Sequence, residues 1–151
     1  MVRPSDLSLG GTEPFVSRQQ VHFDMLDRLG VLHNAVYLLL FERARTEFWH
    51  SRGVGYGLPG LDWPYLVVRN EVNYRNAIVH EQEITVTVAV RDLGLTSVAF
   101  AHEVRDSTGR LCADGATVIV RVDAETRRPV PWSAAFRELI RPIHLASAPD
   151  G

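Results

Sequence analysis

Between Ala35 and Phe41 the chain reads AVYLLLF, apolar without a break, and charged residues (Glu42, Arg43, Arg45, Glu47) open a polar face only afterwards. An all-round apolar start predicts a helix buried on most sides. The run is far shorter than the roughly 20 residues that span a bilayer, which makes it a core segment. Asn34 is an N-cap residue type, and Gly53, Gly55 and Gly57 punctuate the far end; together they predict a helix of roughly 19 residues, about 28 Å long. The stretch GVGYGLPGLDWP that follows, with Pro59 and Pro64, reads as a crossing loop that borders a pocket.

The remaining pattern has the period of strands. Leu66, Val68, Val72 and Tyr74 alternate with Arg69, Glu71 and Asn73, and Ile84, Val86, Val88 and Val90 alternate with Thr85, Thr87 and Ala89. Val98, Phe100 and Val104 share a face with His102, and Val118, Val120 and Val122 close the series. Turn signals at Asp92-Leu93-Gly94 and Asp106-Ser107-Thr108-Gly109 predict antiparallel hairpins from about 83 to 122. Ala113, Gly115 and Ala116 thin out the last strand, either for close approach of a helix backbone or at a bulge. Another strand is expected over Ser17 to Phe23, and a short closing helix over Ser133 to Ile140, capped by Ser133. The fold class is α+β, an antiparallel sheet covering a long helix. Residues 1–16 read as a flexible arm, 17–141 as one domain and 142–151 as a flexible tail.

Composition narrows the function classes. With 46% hydrophobic and 23% charged residues in 151, neither a disordered nor a membrane class is indicated. A net charge of -2 and no basic stripe argue against nucleic acid as a partner. The single cysteine, Cys112, reads as a buried thiol, and the first residues lack the apolar stretch of a signal peptide, so a cytoplasmic location is expected. None of the six histidines stands at metal-ligand spacing, and no glycine-rich phosphate loop is present, so no metal is expected.

Candidate chemistry sits just ahead of the helix. Asp27 lies within a few residues of its N-terminus, where free N–H groups and the positive dipole end meet developing negative charge, and Gly30 lets the backbone turn between them. Asp27-x-x-Gly30-x-x-x-Asn34-x-x-Tyr37, followed by Phe41-Glu42-x-Ala44-Arg45, resembles the opening motif of the hotdog-fold acyl-CoA thioesterases of the 4-hydroxybenzoyl-CoA thioesterase type, and the likeness runs from about Val21 to Pro131. Three positions depart from that pattern. Met25 stands where the first of two aspartates is usual, with Asp24 one place earlier; Val31 replaces a histidine; and Ala77 with Glu81-Gln82 marks a changed turn in the hairpin expected after Tyr74.

The resemblance implies a hotdog fold, a five-stranded antiparallel sheet wrapped around the central helix. It implies an acyl-CoA thioesterase that hydrolyses an acyl- or aroyl-CoA or a carrier-protein thioester, with no cofactor beyond the coenzyme A of the substrate. Asp27 would act as general base or nucleophile, and a backbone N–H at Asn34 as oxyanion donor. Gly30, His33 and Tyr37 would meet substrate, and Thr96 and Ser97 would reach the site across the subunit interface of a homodimer or homotetramer. Asp24 and Glu42 are the alternative carboxylates, although Glu42 is equally placed to pair with Arg45 at i, i+3. Tyr37, Phe41 and Trp63 either line an acyl pocket or belong to the core. Arg69, Arg75, Arg91, Arg121, Arg127 and Arg128 are cations open to the phosphates of coenzyme A. Two other readings stay open: a non-catalytic acyl-CoA binding protein, and a thioester hydratase or dehydratase pairing Asp27 with His33 or His102.

Overall fold

In the computed structural model, which describes residues 13–55 and 64–145, the alternating segments form one five-stranded sheet. The elements run β1 (Phe15–Val21), α1 (Val36–Ser51), β2 (Tyr65–Tyr74), β3 (Gln82–Leu93), β4 (Ser97–Arg105), β5 (Leu111–Arg121) and α2 (Ala134–Ile140). Their order in the sheet is β1-β3-β4-β5-β2, every neighbouring pair antiparallel. The two hairpins signalled by turn residues are present. Asp106 Oδ1 accepts the N–H of Thr108 at 2.9 Å and of Arg110 at 3.1 Å, which closes the β4–β5 turn. The hairpin expected after Tyr74 is absent: β2 pairs with β5 at one edge and β3 pairs with β1 and β4, so residues 75–81 join strands that are not neighbours.

One face of the sheet holds the core. Ile84, Val86, Val88, Val90, Val98, Phe100 and Val104 are buried, as are Leu40, Phe41, Ala44 and Phe48 of α1. Each large apolar side chain removed from water contributes about 1.5–3 kcal/mol, so this layer sets the register of the sheet. Gly115 explains the thinned last strand. A Cβ there would lie 2.8 Å from the Phe41 ring and would collide with the Glu71 carbonyl, so the space serves a phenyl ring and the β2 backbone. Register is continuous from Ala113 to Thr117 with both neighbouring strands, which leaves no bulge at that point.

Helix α1 is shorter than expected, 16 residues from Val36. Its N-cap is Ala35, and Asn34 makes no capping bond, because the chain first turns through His33: Val36 N–H donates to the His33 carbonyl at 3.0 Å. The far end matches the glycine signal. Gly53 has φ +74°, its N–H donates to the His50 carbonyl, and Val54 N–H reaches back to the Trp49 carbonyl at 3.0 Å. The apolar start is not covered all round, since Leu38 and Leu39 are exposed.

The packed fold reaches beyond residues 17–141 on both sides. β1 begins at Phe15, whose ring meets Phe48 at 5.6 Å, and Ile143 is buried while Leu145 N–H donates to the Val90 carbonyl. The expected arm therefore overlaps β1 at residues 15 and 16, and the expected tail is docked as far as 145. Residues 1–12 of the arm and 146–151 of the tail, with Gly57, Pro59 and Trp63 of the crossing loop, lie outside the described residues. Ser133 caps α2 by accepting the Phe136 N–H at 3.1 Å. No helix among the described residues is long and apolar enough to cross a membrane.

Candidate active site

The segment from Met25 to Val36 is a loop stitched at every turn. Asp27 N–H donates to the Val31 carbonyl at 2.8 Å and Gly30 N–H to the Asp27 carbonyl at 2.9 Å, a turn that Gly30 permits at φ +73°. Leu32 N–H donates to Ile78, His33 N–H to Met25, and His80 N–H to Gly30, so the loop is sewn to the segment leading into β3. The half-buried Asp27 contributes to its own support: Oδ1 accepts from Leu29 N–H at 2.8 Å and Val31 N–H at 3.4 Å. Its second oxygen has no partner among the described residues. One carboxylate oxygen thus fixes the loop, and the other bonds no described group.

Two groups hold the turn into α1. His33 Nδ1 accepts the Ala35 N–H at 3.1 Å, which puts the proton of a neutral ring on Nε2. The Tyr74 hydroxyl, at the end of β2, donates to the Asn34 carbonyl at 2.7 Å. The Asn34 N–H itself donates to no group among the described residues, and Asn34 is exposed. Beside it lies a cleft of about 240 Å³ lined by Leu32, Asn34, Tyr37, Tyr74, Asn76 and Ala77, with Arg75 on its rim. Tyr37 is 3% exposed and its ring meets that of Tyr74 edge-on, centroids 5.1 Å apart. Burial, then the proximity of Cys112 and Tyr74, pushes its phenol up to about 12, so it is a hydrogen-bond donor at any ordinary pH.

The other candidates fall elsewhere. Asp24 is exposed in a 3₁₀ turn over Phe23–Met25. Glu42 lies on the outward side of α1, in a shallow groove with Leu39, Arg43, Thr46 and Glu47, and does not pair with Arg45. Instead Arg45 turns inward, 8% exposed, and meets His102 Nε2 at 3.2 Å and donates to Thr117 Oγ1 at 2.9 Å. The expected ion pair is missing because the guanidinium finds acceptors in the sheet that the helix surface cannot match. His102 is stacked on Phe41 at 4.4 Å, with Nδ1 3.0 Å from the Thr87 carbonyl. Burial, then Arg45, pushes it down to about 3, so it is neutral. Neither His33 nor His102 bonds Asp27. Cys112 is buried, and its thiol is pushed up by burial.

Thr96 and Ser97 lie at the wrong end of this chain's sheet. Ser97 pairs with Val120 and Tyr74 with Ala113, so along β5 they stand about 23 Å apart at the usual rise per residue. Of the six arginines open to phosphates, Arg75 borders the cleft, where it pairs with Asp114 at 2.8 Å. Tyr74 has no local signal in the sequence beyond ending an alternating strand, since its partner is 40 residues away. No group of three or more potential metal ligands occurs among the described residues.

Comparison with known proteins identifies the family. Residues 21–140 match the thioesterase-like superfamily. A thioesterase from Thermus thermophilus, solved with coenzyme A and zinc, is 32% identical, with TM-score 0.74 over 87% of this chain and 99% of that one. A Staphylococcus aureus protein solved in complex with CoA (18% identical, TM-score 0.77, 85% and 82% covered) shares the fold. So does a 1,4-dihydroxy-2-naphthoyl-CoA thioesterase from Synechocystis (16%, 0.77, 85% and 96%). With residues 21–140 matched and an antiparallel five-stranded sheet around its helix, the chain belongs to the thioesterase-like superfamily and has the hotdog fold.

Proposed function

We propose that this protein hydrolyses acyl- or aroyl-CoA thioesters to the free acid and coenzyme A. The observation that supports the reading is that one stitched loop carries a carboxylate oxygen of Asp27 and, just ahead of α1, the Asn34 N–H, neither of which bonds any group among the described residues. Water attacks the thioester carbonyl while Asp27 takes its proton, the Asn34 N–H receives the oxyanion, and collapse expels the CoA thiolate; attack by Asp27 itself would give a mixed anhydride that water then opens. An oxyanion donor of this kind is worth about 2.7–4 kcal/mol. Coenzyme A as the carrier is supported by the relatives solved with it, and Arg75, which lines the cleft, is the cation we assign to its phosphates. No further cofactor enters these steps.

The unit that works is a dimer. β2 is a sheet edge, and Leu66, Val67 and Val68 are 40%, 47% and 58% exposed along it. A two-fold pairing of β2 edges is antiparallel and sets the Tyr65 end of one copy beside the Tyr74 end of the other. Thr96 and Ser97 of the partner subunit then come to the end that carries Asn34. The test is thiol release from short, long and aromatic acyl-CoAs by the native protein and by Asp27→Asn. A loss of about 100-fold or more with folding unchanged is expected for the removal of such a base. Survival of turnover would move the carboxylate to Asp24 or Glu42, and no turnover by the native protein on any of these acyl-CoAs would favour a carrier-protein substrate or a binding protein.

A further inference from the structure

We propose that Tyr74 is a positioning residue for this reaction: its hydroxyl tethers the turn ahead of α1 to the end of β2 and so fixes where the Asn34 N–H points. This rests on the thioesterase reading above. The helix start has no side-chain cap at its N-cap residue, Ala35, and the Asn34 side chain bonds no group among the described residues. Just ahead of the turn Leu32 N–H donates to Ile78 and His33 N–H to Met25, and within it His33 accepts from Ala35 and Val36. The 2.7 Å bond from Tyr74 holds Asn34 itself and ties the turn to the end of β2 across 40 residues of sequence. It grips the carbonyl of the residue whose N–H faces the substrate, with only the Asn34 Cα between the two groups. Rotation of that residue would swing both together.

The phenol is held in turn. Tyr37 lies edge-on to the Tyr74 ring and is itself buried, so the hydroxyl projects from a ring that is packed on one side although 56% of the residue is exposed. Phenylalanine at 74 keeps the ring contact and removes only the tether. Water can satisfy the released carbonyl at this exposed site, so the fold loses little. A displacement approaching 1 Å is enough to cost on the order of 100-fold in rate when the donor must meet an oxyanion.

Two measurements on the full chain test this. Amide exchange over residues 33–37 needs no substrate: Ala35 and Val36 should exchange several-fold faster in Tyr74→Phe, and unchanged exchange overturns the tether. Steady-state thiol release should show kcat reduced by roughly 10-fold to 100-fold with KM within about twofold, at an unchanged thermal midpoint. A rise in KM at constant kcat would make Tyr74 an ordinary binding residue and overturn the proposal, as would unchanged kinetics. Tyr74→Leu, which also removes the ring, should add a KM effect. Absence of turnover by the native protein would sink the thioesterase reading alone, while the exchange result still decides the tether.

Discussion

At the scale of single residues, the most consequential departure from the sequence pattern is Arg45. On the helix surface it stood ready to pair with Glu42; in the fold it is buried against His102 and Thr117, and Thr117 donates its own hydroxyl to Asn70 Oδ1 at 2.9 Å. Nothing in the spacing of Glu42 and Arg45 distinguishes these outcomes, because the acceptors lie on strands more than fifty residues away. The network makes a pH prediction. The unfolded chain takes up a proton at His102 near its ordinary 6.5, and the folded chain refuses it until about 3, so burial and Arg45 make the folded state the weaker proton binder. Stability is therefore intact above the ordinary value and is lost as pH falls below it, at up to about 1.4 kcal/mol per pH unit. Urea unfolding between about pH 6.5 and about pH 5 should show a loss of order 2 kcal/mol, which His102→Gln flattens. The carboxylates held low by their hydrogen bonds, Asp106, Asp114 and Asp123, lose their contribution only in more acid solution, which keeps the window clean. An acid limb unchanged by the substitution would mean that another group carries it.

The elements show which parts of the fold were legible. Period-two alternation and two turn signals were enough for β3, β4 and β5, because each strand pairs with its sequence neighbour and buries one face. β2 was readable as a strand but not as an edge, since pairing with β5 depends on topology; its alternation predicts a buried face that the isolated chain leaves open. The candidate loop was legible in its residues, Asp27 and Gly30, while the helix start was misplaced at Asn34 because His33 and Tyr74 do the holding. Two glycines separate the reasons a sequence keeps this residue. At Gly53 a methyl group meets nothing within 4 Å, and only the left-handed backbone resists it, so Gly53→Ala should cost about 1–2 kcal/mol. At Gly115 the methyl would meet the Glu71 carbonyl and the Phe41 ring, so Gly115→Ala forces the β2 edge away from β5 and should cost roughly 1–3 kcal/mol or more. Chemical denaturation orders the two, and because β2 carries Tyr74, only Gly115→Ala should also depress turnover. Equal turnover in both would show that the β2 edge does not control the site.

For the whole molecule, the question is how a cleft open on one side becomes a site that excludes water. Leu38 and Leu39 on α1 and Leu66, Val67 and Val68 on β2 are exposed, an arrangement of apolar helix surface and bare strand edge that a monomer keeps at a cost. In the dimer proposed above, a second copy paired through β2 would extend the sheet, and the same two-fold would bring the strand starts at Ser97 to the far copy's Asn34 end. Both problems are then answered by one contact. Val68 lies at the irregularity between Val67 and Arg69 and is the most exposed apolar residue on that edge. Val68→Lys leaves the interior of each chain untouched and puts a solvated charge on the edge, which blunts strand addition. Light scattering should then find a monomer, against the dimer proposed for the native chain, with the thermal midpoint lowered by loss of the partner. If the site is shared, kcat/KM falls with the dimer fraction and recovers when protein concentration is raised. A monomeric variant that keeps full turnover would mean that one chain completes the site alone and that Thr96 and Ser97 take no part in it.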